Sequence, residues 1–153
     1  MTRTVCLLAA IATTAAAAHE QYATYQNDRL GYSIRYPAPL LKPVAGSSSG
    51  QAFAAISGGA GFRVFAAPLA GRSPQQLADE AQRACPGKPD YRVVKPALVA
   101  VSCETGGHII YQKSLLRGGL QITVRGEYPT RERARWDPVV TSIARSMSVP
   151  TPE

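Results

Sequence analysis

Acidic side chains, histidines, aromatics and long apolar runs are all in short supply in this 153-residue chain. Ten Asp and Glu face 17 Lys and Arg, a formal charge of +7, and only 7% of residues are aromatic. The two histidines, His19 and His108, stand far apart, and neither sits in an H-E-x-x-H zinc motif. A phosphate loop and a dinucleotide fingerprint are both missing, so nucleotide chemistry has no anchor and no cofactor is expected. Beyond residue 18, no stretch approaches the roughly 20 apolar residues that a membrane-spanning helix needs. The basic residues are scattered, without runs or interleaved aromatics, which argues against nucleic acid as a partner. A basic chain of this kind is expected to meet an acidic protein or an envelope component such as anionic lipid or a cell-wall polymer.

What is present begins with an address. MTRTVCLLAAIATTAAAAHE carries Arg3 as a positive head, an apolar stretch from Val5 to about Ala15, and an A-x-A site at Ala16-Ala17-Ala18. That is the pattern of a cleaved secretory leader. A lipid-anchoring cysteine follows its apolar segment, whereas Cys6 precedes it, so an anchor is not expected. Residues 1–18 are therefore read as leader and 19–153 as a single domain, ordered over about 22–148, in the periplasm or outside the cell. Loss of the leader removes Cys6 and leaves Cys85 and Cys103. An even count in an exported chain favours a disulfide. Two buried thiols or a metal pair are the rivals, and neither finds neighbouring ligands in sequence. Closing a loop of about 18 residues would contribute roughly 3 kcal/mol by restricting the unfolded chain.

Paired glycines punctuate the mature chain at Gly58-Gly59, Gly106-Gly107 and Gly118-Gly119, each between apolar runs, as antiparallel hairpins require. In LQITVRGEY, Leu120, Ile122, Val124 and Tyr128 alternate with Gln121, Thr123, Arg125 and Glu127. The period of two predicts a strand with one buried and one wet face. HIIYQKSLLR and ALVAVSC extend this to a three-stranded meander over 97–128. YSIRY, QAFAAIS, FRVFAA and YRVVK are further strand candidates. PAPLLKPVAGSSSG reads as a loop because its three prolines cannot hold a ladder. SPQQLADEAQRAC predicts a helix capped by Ser73 with Pro74 at its first position. TRERARWDPVVTSIARSM predicts a second, capped by Thr130, with Trp136, Val139, Val140, Ile143 and Met147 facing the core. Pro138 predicts a kink or restart there with Asp137 as cap. The expected class is α+β: an antiparallel sheet of six to seven strands flanked by two main helices.

YQNDRLGYSIRYP, GHIIYQK and EYPTRERARWDPVVTSIARSM together resemble small exported bacterial proteins similar in outline to the PsbP/Mog-type fold, which includes DcrB-like periplasmic proteins. The matching blocks span most of residues 25–147, and their motifs are turns and core positions. The chain departs from the pattern at GSSSGQ, where a polar N-G-D-G-like turn would stand. The resemblance implies an antiparallel sheet sandwiched by helices and a binding or accessory role, and it carries over no catalytic residue.

Several residues are candidates for chemistry. Gly46-Ser47-Ser48-Ser49-Gly50 matches G-x-S-x-G, but a nucleophile elbow needs a buried strand before it and a helix after it. A flexible loop fits better. If cleavage falls after Ala18, His19 becomes the N-terminal residue, and its amine and imidazole with His108 form a weak candidate copper site. Arg125, Arg131 and Arg135 form a candidate anion or partner patch, with ion pairing to Glu127 and Glu132 as the plainer account. The function expected from the sequence is a non-enzymatic exported accessory or binding protein. An immunity or inhibitor protein against an exported enzyme is the alternative, and copper binding through His19 a further one.

Overall fold

The computed structural model describes residues 21–149; the leader and His19 lie outside the described residues. β1 (Tyr22–Asn27) and β2 (Tyr32–Pro37) pair as an antiparallel hairpin of their own. The other strands are β3 (Leu41–Ser47), β4 (Gly50–Ala55), β5 (Gly61–Pro68), β6 (Tyr91–Lys95), β7 (Leu98–Thr105), β8 (His108–Arg117) and β9 (Leu120–Pro129). They form one seven-stranded antiparallel sheet in the order β3-β4-β5-β9-β8-β7-β6. Helices α1 (Pro74–Gln82) and α2 (Arg133–Arg145) complete the α+β architecture that the alternating pattern implied. The meander is β7-β8-β9, and its two turns carry positive φ at both glycines: 57° and 74° at Gly106-Gly107, 59° and 74° at Gly118-Gly119. Those are the left-handed values that a two-residue hairpin turn demands.

Partners across the strand pairs share a face. Val64, Val124, Lys113 and Ala100 lie on one face, and Arg63, Arg125, Gln112 and Val101 on the other. α2 and the β1–β2 hairpin cover the first face, where Trp136, Val140 and Ile143 meet Phe62, Val124, Tyr128, Tyr32 and Ile34. Their approach depends on one missing side chain. A Cβ on Gly126 would stand 2.9 Å from both Phe62 Cε1 and Val140 Cγ2, closer than carbon atoms tolerate. The empty space over this glycine lets the helix settle onto the strand. On the second face α1 lays Leu77, Ala78 and Ala81 against Val99, Val101, Cys103 and Ile110. The Cys85–Cys103 disulfide, with Cα atoms 5.7 Å apart, ties the end of α1 to β7. Such a bond fits an oxidising compartment.

The hairpin is fastened by its turn. Asn27 Oδ1 accepts the Leu30 N–H at 3.0 Å, and its Nδ2 donates to the Ser48 carbonyl at 3.2 Å. Tyr32 donates to the Ser49 carbonyl at 2.6 Å. Gly50 follows, and a Cβ there would collide with the Val64 carbonyl oxygen. The Ser/Gly stretch is thus a structural junction between the hairpin and the sheet.

Four expectations need correcting. Part of the proposed loop over 37–50 is β3, an edge strand, where Pro43 sits at a bulge and its missing N–H costs no ladder bond. Thr130 does not cap the last helix; a 3-10 turn, Thr130–Glu132, intervenes, and Thr130 Oγ1 is buried without a partner. α2 then runs through Pro138 without restarting. Ala134, whose carbonyl Pro138 cannot serve, and Pro138 itself are both exposed, so water can take up that carbonyl. Asp137 caps nothing and accepts a 2.6 Å bond from the Tyr128 hydroxyl instead. Finally, the polar side of β9 is only partly wet: Gln121 and Thr123 are buried, and with Ser114 they satisfy one another at 2.8 and 3.1 Å.

Burial, followed by the bond to Asp137 and its charge, raises the pKa of Tyr128 well above the ordinary 10.0. Burial, followed by Tyr25, does the same for Tyr32. Both hydroxyls stay protonated in the folded chain at a pH where the unfolded chain loses its protons. Their contribution is therefore complete below pH 10 and falls as pH rises beyond it. Urea unfolding between pH 8 and 11 should show stability declining above about pH 10, the decline being shallower in Tyr32→Phe/Tyr128→Phe.

Candidate functional site

The two helices cover different halves of the sheet. α1 packs on β6 and β7, so on its face no helix among the described residues lies over β3 and β4, and only the flank of α1 borders β5 and β9. Alternation brings Ala52 and Ala54 of β4, Arg63, Phe65 and Ala67 of β5, and Arg125 and Glu127 of β9 to this open half. A cleft of about 450 Å³ lies there, bordered by Ala52, Gly61, Arg63, His108, Arg125 and Glu127. It continues through Arg63 and Ala52 towards the β3–β4 turn, and through Arg125 towards α1 at Arg72 and Glu80. The result is a groove along the sheet, open to solvent, with small residues as its floor.

Its centre is cationic. Arg63 and Arg125 face each other across the β5–β9 pair. The Arg63 guanidinium lies over the ring of Phe65, two residues further along β5, 5.3 Å from its centroid, which holds it along its own strand. Burial, then the charge of Arg63, lowers the pKa of Arg125, and Glu127 only partly offsets this. Neither arginine enters an ion pair within 4.0 Å among the described residues. By contrast, Arg72 holds Glu80 at 2.8 Å, Arg92 holds Asp79 at 2.6 Å and Arg133 holds Glu104 at 3.1 Å.

The residues singled out in the sequence are distributed unevenly over this site. Arg125 is central to it. Arg135 belongs to α2, which covers the opposite face, and its guanidinium lies 4.8 Å from the Trp136 ring centroid. Arg131 is exposed on the 3-10 turn, 3.8 Å from Glu132. The structure therefore does not gather the three arginines into one patch; Arg125 is joined instead by Arg63. Glu132 is occupied by the Trp136 indole N–H at 2.9 Å. His108 borders the cleft, with Nδ1 3.2 Å from the Gly106 carbonyl. Ser48 is absent from the residues that border it, and its carbonyl serves Asn27. Among the described residues no group of three or more His, Cys, Asp or Glu is placed to hold a metal ion. Cys85 and Cys103 are buried in the disulfide under α1.

Arg63 escaped the sequence analysis because its neighbour is 62 positions away and only the strand register unites them. The usable signal was FRVFAA itself, whose alternation turns Arg63 away from the core.

The fold so defined is PsbP-like. The solution structure of cyanobacterial PsbP (CyanoP) from Synechocystis is similar with a TM-score of 0.63 over 90% of this chain and 99% of that one, at 11% identity. A crystal structure from Bacteroides thetaiotaomicron is similar with a TM-score of 0.55 over 84% of this chain and 48% of that one, at 12% identity. No family model and no curated protein matches the chain in sequence. At these identities the likeness speaks for the fold alone.

Like charges directly opposite across a strand pair destabilise a sheet by roughly 0.2–1 kcal/mol. Arg125→Gln should therefore raise the unfolding free energy by up to about 1 kcal/mol at low salt. Urea titrations should show the gain shrinking at about 0.5 M salt, as screening removes the repulsion. An Arg125→Gln chain less stable than the parent at both salt concentrations would show that the pair is not repulsive.

Proposed function

We propose that the protein is a non-enzymatic accessory protein, exported by its leader to the periplasm or beyond, that docks a partner protein on the open half of its sheet. One observation carries this reading: four strands present a shallow, small-residue groove with a cationic centre that Glu127 only partly offsets, on a face that α1 covers mainly at its other end. A surface of that form suits an approaching macromolecule, and the excess of basic residues suits an acidic one. The buried disulfide supports an oxidising compartment, and the PsbP-like architecture supports an accessory role.

Immobilised residues 19–153 should retain a protein from the envelope fraction of the native organism. Ala54→Glu, which puts a carboxylate on the open half opposite Gly61, should abolish retention, while Thr24→Glu on the exposed side of β1 should preserve it. Retention that survives Ala54→Glu, or no retention at all, would contradict the proposal.

A further inference from the structure

We infer that the Arg63–Arg125 pair is a recognition site for a carboxylate, whose apolar body rests on the small and aromatic surface of β4 and β5. The site lies on the face assigned above to partner docking, and the inference rests on that reading.

The pair is costly to the sheet that carries it. A sheet gains nothing from two guanidinium groups set opposite each other, and these two have no carboxylate in ion-pair range among the described residues. Arginines elsewhere in the same chain do find carboxylates, at Glu80, Asp79 and Glu104. An anion placed between Arg63 and Arg125 would relieve the repulsion and offset the cost that burial imposes on the Arg125 charge.

The pair is also pre-organised. Stacking on Phe65 and partial burial restrain the two guanidiniums on a rigid β5–β9 ladder, so little side-chain freedom remains to be lost on binding. Two planar forks on neighbouring strands suit a planar carboxylate, each oxygen accepting from one arginine.

The surroundings decide between anions. The cleft is bordered by strands and the β4–β5 turn, and none of the residues that border it belongs to a helix N-terminus of the kind that phosphate sites draw on. Ala52, Gly61 and the Phe65 ring beside Arg63 offer apolar surface to a carbon skeleton. At about 450 Å³ the cleft is of a size for a small organic acid. Glu127 stands on the same wall and disfavours a second negative charge, so a monocarboxylate is preferred to a diacid.

The same chemistry can come from a free acid or from an acidic side chain of a docked protein. Titration of the isolated mature chain, residues 19–153, with sodium benzoate and with glutamate blocked at both ends separates these sources. Proton–nitrogen NMR should show the arginine Nε–Hε signals of Arg63 and Arg125 and the Gly61 amide moving with one or both. Tighter binding of benzoate identifies a free acid, and tighter binding of blocked glutamate an acidic residue of a partner. Sodium phosphate at equal ionic strength should move them far less. Arg125→Gln and, independently, Arg63→Gln should weaken binding about tenfold or more, the loss of one charge-assisted contact, with the remaining amide spectrum intact. Equal or stronger shifts with phosphate, shifts that persist in both variants, or no shift with either carboxylate would overturn the inference. Retention of an envelope protein is read separately, so partner docking can stand while carboxylate recognition fails.

Discussion

The missing side chain of Gly126 is the constraint on which the α2 side of the molecule depends. Phe62 and Val140 both fill the space that a side chain there would claim. Because they do, Trp136 lies fully buried with its ring 5.5 Å from Phe62, and Tyr128 reaches Asp137. The β1–β2 hairpin then has a helix to lie against, and Ser33 and Ser148 bridge it to the chain beyond α2. A single methyl group at this position would push against both Phe62 and Val140, and overpacking of that sort typically costs about 1–3 kcal/mol.

The opposite face is organised by a smaller core and a covalent tie. α1 is only nine residues long, and its buried surface is confined to Leu77, Ala78 and Ala81. The disulfide fixes its trailing end over β7, while the Ser73–Gln76 capping box and the Arg72–Glu80 pair fix its start. So anchored, the helix stays over β6 and β7, and half of that face carries no helix among the described residues. The cationic groove is a consequence of this offset, since the same strands on the α2 side carry the main core. Stability and exposure are divided between the two faces of one strand: β9 turns Val124 and Tyr128 inward and Arg125 outward.

Much of this was legible in the sequence because it is local. Alternation in LQITVRGEY, the Gly-Gly turns and Ser73-Pro74 each encode their structure within a few residues, and the meander and α1 follow from them. The disulfide was favoured by an even cysteine count. What was not legible depended on partners distant in sequence. Pro43 argues against a strand until it is known to stand at a bulge on a sheet edge. Asp137 resembles a cap until Tyr128 is seen above it. Gln121 and Thr123 look wet until Ser114 on the neighbouring strand is seen to bond both of them. The site itself was half legible: Arg125 stood out, whereas Arg63 gains meaning only from the register of β5 against β9.

The central claim is that the uncovered half of the sheet is the working surface, and site-specific photo-crosslinking in living cells tests it most directly. A photoreactive residue at position 52 on the open half should give a discrete adduct with another protein, and the same residue at position 24 on the hairpin should give none. An adduct from position 24 with none from position 52 would place the working surface elsewhere and contradict the account.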